Sequence, residues 1–240
     1  MTAKTAMTAM TAKAAYNPHH DMGGQSGGPV IPDKADDPIF EQPWHKRVLG
    51  LTVAAGGMGV WNIDMSRFRR ESLPQQDYQH FTYYEKWLAA LTNLFVVNGF
   101  VSRDELIEGY QGPLQPIQDN IMRAPDVAAI LARGAPSARP YDGVAKFTVG
   151  ARVTTRHPVD TLHADPGHTR LPLYAANKTG VVLFTHGAHA LPNSNAHQLG
   201  EAPEPLYAIE FMAADLWPDS DTGHGDTVII DCWESYLETA

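Results

Sequence analysis

The chain has 240 residues, 43% hydrophobic and 19% charged, and its 27 acidic against 18 basic side chains give a formal net charge of −9 at pH 7. A chain of this length buries roughly three quarters of the surface that it exposes when unfolded, so it can form one large domain or two small ones. The acidic balance, without a block of Lys or Arg, argues against nucleic acid or an anionic membrane surface as the main partner. No apolar run reaches the roughly twenty residues that a bilayer span requires.

Cysteine and histidine usage limits the chemistry open to this chain. Cys232 is the single cysteine, so neither an internal disulfide nor an all-cysteine metal site can form, and the count fits a reducing, cytoplasmic compartment. Because it follows an apolar run, we expect an inert buried thiol. His186, His189 and His197 fall in a Pro/Gly/Asn-rich stretch without a regular element to set ligand spacing, so we favour loop-stabilising roles for them. We expect no metal ligands in this chain.

The N-terminal residues lack the pattern of a helix or a strand. Residues 1–15 repeat Met-Thr-Ala without acidic residues or a long apolar core, which predicts a disordered leader rather than a secretory signal. Residues 16–37 are rich in Gly and polar side chains without a period, which predicts an extended arm laid over a surface.

Residues 38–133 have the pattern of a helical domain. Apolar side chains recur at helical spacing, most clearly over residues 84–95, where five of them form one stripe. Residues 117–131 are a further helical candidate. Three side chains are candidate N-caps: Asn62, Asp64 and Ser102. Ser102 also begins a Ser-x-x-Glu capping box.

The chain changes character after residues 134–143, whose Gly and Pro breakers predict a linker. Residues 144–240 contain short β-rich runs separated by turn residues, and this spacing predicts a small antiparallel β-barrel. The runs are Phe147/Val149 and residues 181–184, 206–211 and 227–230. The predicted fold class is therefore α+β, with an arm and helical domain followed by a barrel.

Two arginines stand at positions that local stability does not require. Arg67 falls near the start of its predicted helix, where the macrodipole disfavours a cation, and Glu71 at i+4 offers it a simple solvated ion pair. Arg170 lies in a breaker-flanked loop, where an exposed charge is the simple interpretation. From the residues alone we favour these two simple interpretations.

From about residue 19 to the C-terminus, the chain carries short motifs that together, in this order, resemble the β subunit of nitrile hydratase. They are residues 20–24 (HDMGG), 28–30 (GPV), 38–40 (PIF), Trp44, 62–67, 83–87 (YYEKW), 167–170 (GHTR), 178–180 (KTG), 206–207, 215–217, 231–233 and 236–237.

The resemblance implies an αβ heterodimer, often paired again as α2β2, that hydrates small nitriles to amides. It places a low-spin iron(III) or non-corrin cobalt(III) in a cysteine claw of the α subunit, with two of those cysteines oxidised to sulfenic and sulfinic acid. It also implies that the C-terminal barrel of the β subunit is SH3-like. This chain would be the half without the metal.

The resemblance also assigns site residues. Arg67 and Arg170 match two β-subunit arginines that hold the oxidised cysteines, a role that suits the planar, always charged guanidinium fork. Ser66 departs from the bulky residue expected at its position, which could widen the pocket or make it more polar. The positions that match the wall of the substrate pocket are Ile63, Ser66, Tyr83 and Trp87.

Three other functions stay open. Thiocyanate hydrolase has non-metal subunits that resemble this chain cut in two, and the uncut chain favours nitrile hydratase over it. A non-catalytic partner or maturation protein of the same fold is a second alternative, and a stand-alone binding module, supported by the Trp/Tyr-rich helix, is a third. The sequence of this chain does not indicate whether the partner holds cobalt or iron. It also does not identify the physiological nitrile or the oligomer beyond αβ.

Overall fold

The computed structural model describes residues 16–23, 29–32, 34, 36–109, 112, 122–218 and 225–240. Its contacts divide the chain into a helical unit, residues 27–135, and a sheet unit, residues 136–240, which also includes the N-terminal residues up to 26. The combination of helices with an antiparallel sheet confirms the predicted α+β class. The predicted leader, residues 1–15, lies outside the described residues. Among the described helices, none is long and apolar enough to cross a bilayer.

The helical unit has six α-helices in its described part. They are α1 (Pro43–Gly57), α2 (Ile63–Glu71), α3 (Gln75–His80), α4 (Tyr83–Val97), α5 (Arg103–Glu108) and, after a 3-10 turn at Ala124–Asp126, α6 (Val127–Arg133). The helical candidate at residues 117–131 therefore overlaps α6 at residues 127–131, and its first five residues lie outside the described part.

Local capping decides where these helices begin. The Asn62 side chain accepts hydrogen bonds from the backbone N–H groups of Asp64 at 3.0 Å and Met65 at 2.9 Å, which identifies Asn62 as the cap of α2. The predicted capping box opens α5, where Ser102 and Glu105 bond each other's backbone N–H groups. Both helix starts are therefore fixed by side chains that the sequence displays.

The apolar stripe of α4 closes the core of the helical unit. Leu91 of the predicted stripe, and Leu94 outside it, are buried against Trp61, Met65 and the C-terminal part of α1, whereas Leu88 of the stripe is 40% exposed. Burying one such side chain contributes about 1.5–3 kcal/mol, so this stripe is a main source of the unit's stability.

The sheet unit contains five antiparallel strands in the order β4-β3-β2-β1-β5. Their bounds are β1 (Arg152–Thr155), β2 (Thr179–His189), β3 (Glu204–Met212), β4 (Thr227–Trp233) and β5 (Leu237–Thr239). Short helices α7 (Pro192–Asn195) and α8 (Ala213–Leu216) follow β2 and β3. Among the described strands, β4 and β5 are the two edges and do not pair, so the predicted barrel is not confirmed as a closed one.

One predicted strand is wrong. Residues 148–151 form a turn, in which Gly150 has φ +87° and the Ala151 N–H donates to the Thr148 carbonyl at 3.0 Å. Phe147 packs its ring against Tyr207 at 5.7 Å instead of joining a ladder. The first strand is β1, which lies beyond the turn and pairs with both β2 and β5.

Part of the predicted linker is bonded to the sheet. Ala138 forms an antiparallel bridge with His189, and the Arg139 backbone N–H donates to the Ala188 carbonyl at 2.9 Å. The Arg139 guanidinium donates two hydrogen bonds to the Glu201 carboxylate, at 2.6 and 2.5 Å. These contacts assign residues 136–143 to the sheet unit.

The described start of the predicted arm packs on the same sheet unit. The Asp21 carboxylate accepts a hydrogen bond from the Leu173 backbone N–H at 2.6 Å, and the ring of Tyr16 meets that of His157 at 5.8 Å. This end of the arm is therefore ordered by contacts within the chain itself.

Candidate functional site

The site residues predicted in the helical unit lie on two helices that pack together, α2 and α4. Ile63, Ser66 and Arg67 follow one face of α2, and Tyr83 and Trp87 are one turn apart on α4. The rings of Tyr83 and Trp87 meet at 5.2 Å. Ile63 is 57% exposed and Tyr83 63%, which is unusually open for two large apolar side chains on neighbouring helices.

Arg67 is held by Asp64. Its Nη1 donates to the Asp64 carboxylate at 3.0 Å, and the Arg67 side chain stays 38% exposed while that of Asp64 is only 7% exposed. This pairing replaces the expected pairing with Glu71. A guanidinium has five N–H donors, so the bond to Asp64 fixes the fork and leaves further donors for an outside acceptor.

Arg70 belongs to the same group of residues and was missed from the sequence. Its guanidinium lies 5.1 Å from the centre of the Trp87 ring, within the range of a cation–π contact. Burial and the neighbouring charge of Arg67 lower the pKa of Arg70 below its usual value. The available signal was its spacing, because Arg70 lies at i+7 from Ile63 and i+3 from Arg67 on one helix face.

An aromatic cluster borders this face. His45 stacks on Tyr84 at 4.6 Å and meets Trp44 edge-on at 4.4 Å, and Tyr83 contacts Tyr84 at 5.2 Å. Beside the cluster lies a cavity of about 800 Å³, large enough for a small organic ligand. Its lining residues are Asp37, Pro38, Ile39, Glu41, His45, Thr82, Tyr83 and Tyr84.

Arg170 lies in the sheet unit, on a loop whose backbone is firmly held. The Arg170 N–H donates to the Tyr236 hydroxyl at 3.2 Å, and the next N–H, of Leu171, donates to the Thr169 hydroxyl at 3.2 Å. The side chain of Arg170 is exposed. The loop therefore fixes the Arg170 backbone and leaves its guanidinium open to solvent.

Buried polar side chains support this loop from below. The Tyr236 hydroxyl donates to the Asn193 side-chain oxygen, and the Asn193 amide donates to the Thr161 carbonyl at 2.7 Å. Thr161 and Thr169 join their hydroxyls at 2.9 Å, which closes the network below the loop. Burial raises the pKa of Tyr236, so its hydroxyl keeps its proton.

A glycine sets the start of the same loop. A Cβ atom on Gly167 would lie 2.5 Å from the Ala164 carbonyl oxygen and 2.9 Å from the Leu162 side chain. Backbone cannot yield at that distance without shifting the loop, so the motif needs glycine here.

The donor set of the described residues does not fit a metal ion. Within those ranges no three His, Cys, Asp or Glu side chains converge on one point. His186 and His189 lie on strand β2 and not in a loop as predicted, and His186 pairs with Asp231, Nε2 to Oδ1, at 2.9 Å. Cys232 is buried, and burial raises the pKa of its thiol to about 12, so it is protonated and inert at neutral pH.

Comparison with known proteins gives matches over both units. The family description "Nitrile hydratase beta subunit, N-terminal" matches residues 16–130, and its C-terminal counterpart matches residues 136–239. The low-molecular weight cobalt-containing nitrile hydratase subunit beta of Rhodococcus rhodochrous is 34% identical, over 91% of this chain and 97% of that protein. The nitrile hydratase subunit beta of Pseudomonas putida is 32% identical, over 92% and 98%.

Two further matches extend the comparison. The cobalt-containing nitrile hydratase subunit beta of Pseudonocardia thermophila is 31% identical, over 91% of this chain and 94% of that protein. A chain of the recombinant apo-enzyme of thiocyanate hydrolase from Thiobacillus thioparus is 30% identical, with a TM-score of 0.38, over 52% of this chain and all of that chain.

Proposed function

The chain belongs to the nitrile hydratase β-subunit family, and from this premise we propose that it is the β half of a heteromeric enzyme that hydrates small nitriles to amides. The observation that carries the proposal is the match over both units, residues 16–130 and 136–239, to relatives covered over 97% and 98% of their length. The enzyme is active only when the α subunit is bound, and the pair can associate again as α2β2.

The metal belongs to the α subunit in this proposal. Two relatives are described as cobalt-containing, which supports cobalt, while iron stays an alternative. A cysteine claw needs several accessible thiolates, and this chain has one cysteine, which is buried. The residues of this chain therefore act on the groups around the metal and not on the metal itself.

Arg67 and Arg170 hold the oxidised cysteine oxygens that the α subunit presents. The Arg67 guanidinium is held by the Asp64 carboxylate and its side chain is 38% exposed, whereas Arg170 is held at its backbone, by the bond to Tyr236, and has an exposed side chain. A restrained donor such as the Arg67 guanidinium loses little freedom when an oxyanion arrives, so it can orient such an oxygen at small entropic cost, while Arg170 offers its exposed guanidinium from a fixed loop. Lysine would keep the charge and lose the fork.

The substrate pocket lies along α2 and α4. Ile63 and Tyr83 expose apolar surface that a partner or substrate would cover, and Trp87 packs beside Tyr83. Ser66 on the same face of α2 contributes a small polar side chain, which would widen the pocket or make it more polar.

We also propose that the sheet unit is an SH3-like barrel. Its five antiparallel strands include β2, whose pairing with β3 shifts register twice, between Val182 and Phe184 and between Thr185 and Ala188. Bulges of this kind bend a strand, as a small barrel requires.

The test uses the chain co-expressed with its α subunit and loaded with metal. We expect stoichiometric cobalt or iron and conversion of a neutral nitrile to its amide, with kcat lowered roughly 100- to 1,000-fold in Arg67→Lys and in Arg170→Lys. Arg69→Lys is the matched control, because Arg69 lies on α2 over the Phe68 ring and should leave kcat unchanged. Undiminished activity in both lysine variants would refute the assigned roles.

The same preparation separates the alternatives. Release of ammonia from thiocyanate without nitrile hydration would identify a thiocyanate hydrolase-like component. A metal-loaded complex that converts neither compound would identify a non-catalytic partner.

A further inference from the structure

The face of α2 that carries the predicted pocket residues continues one turn beyond Arg67. Ile63, Ser66, Arg67 and Arg70 lie at i, i+3, i+4 and i+7, which places them along one side of the helix. At the end of this row the Arg70 guanidinium covers the Trp87 ring at 5.1 Å. A cation is thus built into the wall of the proposed pocket.

The charge of Arg70 is poorly compensated within the described residues. Burial lowers its pKa most and Arg67 next, while Glu71, Tyr78 and Tyr83 act more weakly in the opposite direction. No carboxylate of the described part of the chain lies within salt-bridge distance of Arg70, whereas Arg67 has Asp64 at 3.0 Å. Like charges one turn apart on a helix repel each other, so a bound anion would reduce the repulsion between Arg67 and Arg70.

The contact with Trp87 leaves Arg70 able to bind such an anion. The guanidinium carbon lies 5.1 Å from the centre of the Trp87 ring, a cation–π contact that does not require a hydrogen bond, and two of the in-plane N–H donors match a carboxylate. Asp37 and Glu41 line the 800 Å³ cavity, and Arg70 is not one of its lining residues. An anion is therefore expected at Arg70 and not among those carboxylates.

We propose that Arg70 is a specificity-determining residue of the substrate pocket, where it favours nitriles that carry a carboxylate over neutral nitriles of the same length. This inference rests on the proposed nitrile hydratase function and names a substrate class for that same pocket. The carboxylate accepts charge-assisted hydrogen bonds from the Arg70 fork, while Arg67 keeps its role at the oxygens of the α subunit.

The experiment measures kcat and KM of the metal-loaded αβ complex on ω-cyano carboxylates with one to four methylene groups. Each is compared with its neutral primary amide, which has nearly the same shape. For the best chain length, we expect Arg70→Gln to lower the carboxylate-to-amide ratio of kcat/KM by about 10- to 100-fold, mainly through KM. The neutral amide keeps its kcat/KM within about twofold.

Two further variants make the result specific. Arg70→Lys keeps the charge without the fork, so its ratio should fall by an intermediate factor, and this variant decides the question if Arg70→Gln does not assemble. Arg69→Gln removes a neighbouring charge that lies over Phe68, and its ratio should not change.

The inference and the proposed function fail differently. If the complex hydrates the neutral nitriles and the ratio is the same in wild type, Arg70→Gln and Arg70→Lys, the assignment of Arg70 is overturned while the enzyme function stands. An equal fall in Arg69→Gln would likewise overturn it, since general charge would then explain the preference. If no nitrile is hydrated, the proposed function falls and the inference falls with it.

Discussion

The Tyr236 hydroxyl connects the Arg170 loop to the buried network of the sheet unit, and Tyr236→Phe removes it at nearly constant volume. Three groups lose a bond: the Asn193 side-chain oxygen, which accepts from the hydroxyl, the Arg170 N–H, which donates to it, and the side chain of Thr169. Water can reach the exposed Arg170 but not Asn193, which is fully buried. An unsatisfied buried acceptor costs about 1–3 kcal/mol, so the Asn193 side should dominate the loss.

For a unit of roughly a hundred residues this loss lowers the melting temperature by roughly 4–12 °C. Calorimetry of the co-expressed complex measures it, with Tyr174→Phe as control, because Tyr174 is half-buried against Trp217 in the same unit and makes no hydrogen bond to the described residues through its hydroxyl. We also expect Tyr236→Phe to lower kcat in wild type and to add little in an Arg170→Lys background. A melting temperature equal to wild type, or an equal fall in Tyr174→Phe, would show that the network does not carry this stability.

Three further predictions concern caps, core and pH. Asn62→Ala removes the acceptor for two N–H groups of α2 and should cost about 1 kcal/mol by thermal unfolding, whereas Asn62→Asp should cost almost nothing. Leu94→Ala, at a side chain only 1% exposed, should cost about 2–5 kcal/mol, and Leu88→Ala, at 40% exposure, under about 1 kcal/mol; equal losses would contradict the assigned core. Burial raises the pKa of Cys232 from 9.0 to about 12, so the folded state keeps a proton that the unfolded chain releases. The stability that this proton contributes is complete below about pH 9. Between about pH 9 and pH 12 the free energy of unfolding should fall by up to about 1.4 kcal/mol per pH unit. Cys232→Ala should remove this part of the fall, as measured by urea unfolding at alkaline pH.

The helices were predictable because their signals are local. The stripe over residues 84–95 and the caps at Asn62 and Ser102 lie within a few positions of the helices that they define. The strands depend on partners that are distant in the sequence. In addition, β1 and β5 have only four and three residues, too few to show the alternation of apolar and polar side chains that indicates a strand. Val153 is in a strand because Gly180 and Thr239 lie on either side of it, and nothing near Val153 in the sequence shows this.

The site shows the same division between local and distant information. Motif resemblance singled out Arg67, but its partner depended on where α2 begins, and a start at Ile63 puts Asp64 in the first turn at i−3. No motif pointed to Arg70, and its contact with Trp87, which places it beside the proposed pocket, depends on the packing of another helix. Spacing along a helix can suggest such a residue, while only packing shows what it faces.

The bonds of Arg139 also determine where this protein can be divided for expression. Composition places a boundary at residues 134–143, and a fragment starting at residue 144 would follow it. Such a fragment would lack Arg139, so the Glu201 carboxylate and the Ala188 carbonyl would lose their hydrogen-bond donors. It would also expose unpaired backbone groups at this part of the sheet, where copies of the fragment could pair with each other. A soluble sheet fragment should therefore begin no later than Pro136, and supplying residues 16–23 as a separate peptide would restore the acceptor that Asp21 provides to Leu173.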